Sequence, residues 1–505
     1  MEEILNKAEI KGKIFIDNYG QKHIVEKILG EGGQGMVCAT DTPNYVIKFV
    51  TDSTGNLISK DKNPNSYKYN IALFKSIHTL PIDKKAHIAV PVTYLNDYAG
   101  YIMRLMDLMT PFSVLSGNME SYPETGGHRY RLETLSRVAS QLSYIHSRGM
   151  VYCDISPNNI FITKNIKSEN QNVWFIDTDN LFIPSAKRVG KLVYTERYAA
   201  PELLKGGKDV FCTQNSDLYS FAIMAFESLS VIHPFDGDGI GKKQESLGNW
   251  DDDDWDKTGN SETSDNEVVE NPVYSGKYSW VDDPDDDSNR TTNGFPRQLF
   301  LTDKLKKLFN QTFHYGKDNP ELRPTSYLWE RAFAEAADIT LECGECKMSH
   351  VVNDVNNNKC PWCGEKLNEK VVLKDENGKL VFIREIVFEN DNESDKKRKC
   401  NVINVPERIF IAFDSYYNDI PFISIEAATV VTEGKESKDG KWEIRINKTD
   451  DSFFSTHVKL KVLKDKEEKE VAGSIIFNCD YGEDIKIVTK YDNYDEKVFS
   501  FSIIK

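Results

Sequence analysis

Asp154-Ile-Ser-Pro-Asn-Asn159-Ile is the stretch on which the reading of this chain turns. A carboxylate precedes an amide by five positions, and the apolar run Ile160-Phe-Ile follows. At that spacing a loop carries a proton acceptor and a neutral oxygen ligand into the start of a strand. Taken alone, the pattern equally fits a polar loop bordering a strand. Its meaning comes from companions that appear in order on both sides.

Upstream, Gly30-Glu-Gly32-Gly33-Gln-Gly35-Met-Val37 follows the apolar residues Ile24-Val25 and Ile28-Leu29. Glycines let a backbone lie close over phosphates, where any Cβ would collide. A dinucleotide-binding turn has similar glycines but opens into a helix. Here residues 36–40 are β-like and Tyr45-Val-Ile-Lys48 arrives as the next strand. The expected element is therefore strand, glycine hairpin, strand, with Lys48 in reach of a phosphate. Downstream, Val173-Trp-Phe-Ile-Asp177-Thr-Asp179 places an aspartate after an apolar strand, which suits a hard cation that takes oxygen ligands. Thr195-Glu-Arg-Tyr198-Ala-Ala-Pro201-Glu202, Asp217-Leu-Tyr-Ser-Phe-Ala222, His233-Pro-Phe235 and Arg323-Pro324 complete the series.

In this order the motifs resemble those of eukaryotic-type (Hanks-type) Ser/Thr protein kinases of the bacterial kind, over about residues 13 to 338. The resemblance implies an α+β, two-lobed protein kinase fold, with an N-lobe at 1–104 and a C-lobe at 105–338. It implies ATP and Mg2+ as cofactors and a protein hydroxyl as substrate. Asp154 takes the place of the catalytic base, Lys48 that of the phosphate-anchoring lysine, and Asn159 and Asp177 those of the magnesium ligands. Gly30, Gly32, Gly33, Gly35, Val37, Met103 (at the gatekeeper position) and Leu105 (in the hinge) would line the nucleotide site. Thr195 would bond the catalytic loop, Asp217 would support its backbone, and Glu202 would pair with Arg323. The loop 154–159 is closer to serine/threonine than to tyrosine kinases.

Several positions depart from the family pattern. Members pair the strand lysine with a glutamate from the next helix, yet residues 51–80 hold no glutamate. The helix is expected over 66–78, with Phe74 and Ile77 inward and Asn70 at the glutamate position. The family's His-Arg-Asp is Tyr152-Cys153-Asp154, so the arginine that would read a phosphate on the segment 181–194 is missing, which implies regulation by another route. Asp-Phe-Gly has become Asp177-Thr-Asp179, removing an apolar residue, and Ser156 replaces a lysine. Two readings follow: an active kinase with atypical regulation, or a nucleotide-binding pseudokinase scaffold that docks partners.

Cys343-Gly-Glu-Cys346 and Cys360-Pro-Trp-Cys363 form two C-x-x-C pairs separated by thirteen residues. That spacing suits a structural Zn2+ site with four thiolates and no open coordination position. The competing readings are four unconnected buried thiols and a pairing into two disulfides. Disulfides are disfavoured because the remaining cysteines are scattered singly and the start Met-Glu-Glu-Ile lacks a signal peptide's basic and apolar regions. A zinc ribbon is expected at 339–368, folded by its metal because so short a segment buries little core. The resemblance then narrows to kinases carrying a C-terminal zinc ribbon. Such relatives often sit beside a metal-dependent protein phosphatase and a von Willebrand A-type protein, two candidate partners by association alone.

The chain carries 79 acidic against 63 basic residues, a net charge of −16. Residues 236–290 hold 17 acidic and 5 basic side chains and look like an insertion in the C-lobe. The run 249–270 reads as a solvated loop, whereas 274–295, with Tyr274, Tyr278 and Trp280, reads as packed on the C-lobe. Asp282-Asp-Pro-Asp-Asp-Asp287 lacks the loop spacing of a calcium-binding hand. So acidic a chain disfavours nucleic acid as a partner. No apolar run reaches the roughly 20 residues that span a bilayer, so no membrane attachment and a cytoplasmic location are expected.

Residues 369–505 change character to short alternating runs, among them Leu380-Val-Phe-Ile, Ile409-Phe-Ile-Ala-Phe, Trp442-Glu-Ile-Arg-Ile and Val458-Lys-Leu-Lys-Val. Glu376-Asn-Gly and Lys438-Asp-Gly440 supply turns between them. This predicts an all-β sandwich of immunoglobulin-like type that serves as a binding or regulatory module. His457 is expected to be a packing or surface residue, and the loop residues of a forkhead-associated phosphopeptide reader are not recognisable.

Overall fold

The computed structural model describes residues 9–32, 35–83, 86–116, 119–166, 168, 171–184, 194–205, 210–240, 273–274, 276–386, 403–405, 423–429, 442–448, 458–492 and 495–505. Gly33, the acidic run 249–270, most of 181–194, the run 409–413 and His457 lie outside them. The chain forms two compact units. One comprises Met1–Met119, Thr134–Phe295 and Lys306–Glu330, the other Glu120–Glu133, Pro296–Leu305 and Arg331–Lys505.

The first unit begins with an antiparallel sheet of order β1-β2-β3-β4-β6-β5. Its strands are β1 (Ile14–Ile16), β2 (Lys22–Gly32), β3 (Gly35–Thr40), β4 (Tyr45–Val50), β5 (Thr93–Tyr94) and β6 (Gly100–Arg104). The glycine motif is the β2–β3 hairpin, with Gly30 opposite Val37 and Gly32 opposite Gly35. At Gly35 a Cβ would stand 1.9 Å from the Phe49 carbonyl oxygen, so the strand contact itself requires glycine there. Strand β4 is buried on both faces because two cores flank it. Phe15, Val25, Cys38, Ile47 and Phe49 fill one, and helix α1 (Pro64–Ile77) closes the other. Proline in the first turn of α1 supplies a preset φ where no N–H partner is needed. Tyr67, Ile71, Phe74 and Ile77 then recur at helical spacing and turn inward, Phe74 meeting Tyr101 edge-on at 4.8 Å.

Below the sheet, β7 (Met109–Pro111), β8 (Ile160–Thr163) and β9 (Val173–Phe175) form a small antiparallel sheet. Helices α2 (Gly127–Ser147) and α3 (Pro201–Leu204) precede α4 (Gln214–Ser230). Every residue of α4 from Ser216 onward is buried, as expected for a helix apolar on nearly all sides. It starts at a reciprocal cap: Thr213 Oγ1 accepts from the Ser216 N–H, and Ser216 Oγ accepts from the Thr213 N–H. The described part of the acidic insertion is built into this unit. Trp280 is fully buried against Phe226 and Phe313, with ring centroids 5.9 and 5.6 Å away. Asn289 Nδ2 donates to the carbonyls of Phe235 and Ser279, each at 2.9 Å. Asp283 and Asp285 both bond the His314 ring, so these acidic groups have partners inside the fold.

In the second unit, strands β10 (Thr340–Glu342) and β11 (Ser349–Val351) form a hairpin. His128 stacks on Phe300 at 5.1 Å and on Trp362 at 6.1 Å, while its Nδ1 meets the Ser349 carbonyl at 3.2 Å. These contacts tie residues 120–133 and 296–305 into this unit. Ten further strands follow: β12 (Lys370–Lys374), β13 (Leu380–Glu385), β14 (Ile403–Val405), β15 (Ile423–Thr429), β16 (Trp442–Lys448), β17 (Val458–Lys464), β18 (Glu467–Glu470), β19 (Ser474–Cys479), β20 (Ile485–Tyr491) and β21 (Lys497–Ile504). They build two antiparallel sheets, of order β13-β12-β21-β20-β17-β18 and β14-β15-β16-β19. Both contribute to one core containing Val371, Phe382, Trp442, Ile444, Leu460, Ile487 and Phe501. The edge strand β18 reads Glu-Glu-Lys-Glu and is wholly exposed, which discourages pairing with another chain.

Replacing Trp280 by alanine is expected to destabilise the first unit by roughly 3–5 kcal/mol, the usual cost of emptying an aromatic core position. Calorimetry would register this as a lower melting temperature, whereas an insertion merely lying on the surface would leave it unchanged.

Candidate active site and cysteine cluster

The loop between α2 and β8 is held from beneath by one carboxylate. Asp217, in the first turn of α4, has no solvent exposure. Its oxygens accept the Tyr152 N–H at 2.8 Å and the Cys153 N–H at 2.9 Å, and His146 Nε2 lies 3.1 Å away. Cys153 sits at φ 79, a left-handed conformation that side chains rarely adopt, and the bond to its amide helps to keep it there. Tyr152 is buried, and its hydroxyl donates to the carbonyls of Ile176 and Asn159. Through that ring the loop 152–159 is attached to the segment that ends in Asp177.

Asp154 is thereby presented with both oxygens occupied. Oδ1 accepts the Thr195 N–H at 2.9 Å and the Thr195 hydroxyl at 2.8 Å, while Oδ2 accepts Asn159 Nδ2 at 2.9 Å. Burial raises the Asp154 pKa and the nearby Asp177 charge adds to this, although the bonds from Thr195 and Asn159 pull the other way. Asn159 also donates to the Asp154 carbonyl, and its own carbonyl accepts the Ile176 N–H at 3.0 Å. Asp177 follows at φ 54. Asn159 and Asp177 are therefore neighbours, with Asp154 close by.

Lys48 reaches this cluster from β4. Its ammonium is buried and pairs with the carboxylates of Asp177 and, at 2.8 Å, Asp179. Burial alone would favour the neutral amine, but the two carboxylates outweigh it and the Lys48 pKa stands well above the ordinary lysine value. Tyr101 lies opposite Lys48 on β6, and its ring centroid is 5.9 Å from the ammonium. Asn70, at the position where the family carries a glutamate, turns to its own helix: its Nδ2 donates to the Ser66 carbonyl at 2.8 Å. Thr178 is fully buried, and its hydroxyl donates to the Ala89 carbonyl at 3.1 Å. The position that lost an apolar residue thus gained a tether. Asp179 is the site residue that sequence reading missed. The available signal was a second carboxylate two positions beyond Asp177 in a chain whose α1 offers none.

The remaining nucleotide-site candidates occupy consistent places. Gly30, Gly32, Gly35 and Val37 lie in the β2–β3 hairpin, and a Cβ on Gly30 or Gly32 would meet nothing within 4 Å. Met103 is paired with Val46, beside the strand position of Lys48, and packs against the α1 core. The Leu105 N–H donates to the Asn44 carbonyl at 2.8 Å where the chain leaves β6. Arg323 grips Glu202 with two parallel bonds of 2.7 and 2.8 Å, which fixes the segment after Thr195.

In the second unit, the sulfur atoms of Cys343, Cys346, Cys360 and Cys363 all lie within 4.8 Å of one another. Each pair sits on the same turn. The Lys347 N–H donates to the Cys343 carbonyl at 3.0 Å and the Gly364 N–H to the Cys360 carbonyl at 2.9 Å, with positive φ at Lys347 and Gly364. Cys343–Cys363 and Cys346–Cys360 are 3.7 Å apart, too far for disulfides. Four sulfurs bound tetrahedrally at 2.3 Å to one ion would stand about 3.8 Å apart, so the donor set fits zinc.

The family described as "Protein kinase domain" matches residues 24–326. Among curated proteins, "Serine/threonine-protein kinase pkn2" of Myxococcus xanthus is 33% identical over 145 residues, 28% of this chain and 16% of that protein. "Serine/threonine-protein kinases PknA" of Corynebacterium glutamicum is 35% identical over 109 residues, 21% of this chain and 22% of the relative. "Serine/threonine-protein kinase PknD" of Chlamydia felis is 23% identical over 244 residues, 43% of this chain and 25% of the relative. The alignments thus span a quarter or less of these relatives.

Substituting Asp217 by alanine is expected to cost roughly 1–3 kcal/mol for each of the two amides left buried without an acceptor. A fall in thermal stability checks this, and an unchanged melting temperature would contradict the role assigned to this carboxylate.

Proposed function

This chain belongs to the protein kinase family, and from that premise we propose that it is an ATP-dependent kinase for serine or threonine hydroxyls of a protein substrate. The observation that carries this reading is the convergence of Lys48, Asp154, Asn159 and Asp177 on one site. Asp154 would accept the hydroxyl proton, and its bonds to Thr195 and Asn159 aim it. Asn159 and Asp177 would supply the oxygen ligands for Mg2+, which with ATP bound would offset charge on the transferred phosphoryl group. Lys48 would hold the α/β-phosphates under the glycine hairpin, with Met103 and Leu105 at the base's edge.

Radiolabelled transfer to a generic protein substrate tests this: Asp154→Ala should lose at least a hundredfold in rate, the scale of a general base. Equal background signals from wild type and Asp154→Ala would favour the second reading, a pseudokinase scaffold. That reading draws support from the lack of any acidic side chain on α1. Because Asp154 works only while ionised and its pKa is raised, activity should fall on acidification at a pH above the ordinary aspartate value of about 3.9. A pH–rate profile measures that limb.

We further propose that Cys343, Cys346, Cys360 and Cys363 hold a structural Zn2+ in a ribbon at about 339–368. The two-sheet domain after it would be a sandwich of immunoglobulin-like type that binds or regulates, in a cytoplasmic signalling protein regulated without an arginine before Asp154. Among the described residues no helix is long and apolar enough to cross a membrane. A metal-dependent phosphatase and a von Willebrand A-type protein are the candidate partners. Elemental analysis should find about one zinc per chain, with chelation lowering the second unit's melting temperature; protein free of zinc with an unchanged melt would remove this assignment.

A further inference from the structure

We infer that Asp179 is the positioning residue for Lys48, supplying from the turn after Asp177 the counter-charge that α1 lacks. This rests on the kinase reading above and deepens it. Three observations converge. First, α1 contains no acidic side chain over Pro64–Ile77, and its nearest candidate, Asn70, is bonded to its own helix. Second, the Asp179 side chain is only 13% exposed, and its Oδ2 accepts from Lys48 Nζ at 2.8 Å. Third, the turn that carries it is anchored independently: Thr178 bonds the Ala89 carbonyl, and the Leu181 N–H donates to the Thr178 carbonyl at 3.0 Å.

The charge count explains why two carboxylates are present. In the site as it stands, one ammonium faces Asp177 and Asp179. With a divalent cation bound, Asn159 and Asp177 would hold it, and the Asp177 carboxylate would be engaged there. If Asp177 were the sole partner, Lys48 would then be a buried cation without a counter-charge, a strongly disfavoured state. Asp179 removes that conflict, leaving Asp177 free for the cation while Lys48 stays paired and aimed. Tyr101 opposite Lys48 completes the enclosure, and its phenol pKa is raised by burial and by the Asp179 charge.

Asp179→Asn should fold, because Asp177 still pairs with Lys48 in the empty site. Its phosphoryl-transfer rate should fall about ten- to a hundredfold, the scale of a positioning error near 1 Å. Asp179→Glu should recover part of that loss, and the Mg2+ concentration giving half-maximal rate should be unchanged. In the Lys48→Met background, Asp179→Asn should alter residual transfer by less than about twofold, since coupled residues are non-additive. A wild-type rate for Asp179→Asn, losses that multiply with Lys48→Met, or a raised Mg2+ requirement would each overturn the inference. If wild type and Asp154→Ala both show only background transfer, the kinase reading fails and the MgATP affinity cycle decides this one. An Asp179→Asn effect on affinity that differs by threefold or more between the wild-type and Lys48→Met backgrounds sustains the pairing, and equal effects sink it.

Discussion

A lysine ammonium placed almost out of contact with water must be paired or surrender its proton, and the upper half of this site is organised by that requirement. Lys48 is buried on a strand with cores on both sides, so it cannot turn out to solvent. Its charge is retained because two carboxylates lie within bonding distance, and both belong to the few residues that follow β9. The sheet and the turn after β9 are therefore joined through one cation. The Tyr152 hydroxyl, bonded to the Ile176 carbonyl, carries the connection on to Asp154.

Beneath it, Asp217 does the complementary work with the opposite charge. A buried carboxylate is tolerated only when hydrogen bonds satisfy its oxygens, and here two backbone amides and His146 do so. The helix that presents it is buried along nearly its whole length, so the aspartate has little freedom to move. A left-handed Cys153 and a left-handed Asp177 both sit where these attachments converge. Such conformations persist only where the surroundings over-determine them.

Much of this was legible in the residues because the motifs are local. A glycine hairpin between strands, an aspartate and asparagine five apart, and paired C-x-x-C turns each encode their geometry within a few positions. The β2–β3 hairpin, the β8 loop and the 3.7 Å sulfur spacings follow directly. The alternating runs after 369 likewise announced strands such as β16 and β17, while β18 escaped notice because four exposed charged residues have no apolar period. What escaped at the site was long-range: which side chain neutralises Lys48 depends on a contact across some 130 positions of sequence. Asn70 was the nearer candidate by helical register, yet its amide found a backbone carbonyl one turn away. Short polar side chains do this readily in helices, since a local acceptor requires no further ordering of the chain.

Taking the counter-charge from the turn after Asp177 changes which movements can disturb the site. Were the partner on α1, any swing of that helix would part it from Lys48, and helix position would set the lysine's orientation. Here α1 meets the sheet through the apolar side chains of Phe74 and Ile71 and through Tyr67, whose hydroxyl donates to the Asn96 carbonyl at 2.6 Å. The orientation of Lys48 instead depends on the turn Thr178–Asn180, pinned by the buried Thr178 hydroxyl. One short segment therefore holds a cation ligand, a tether and the lysine's partner together.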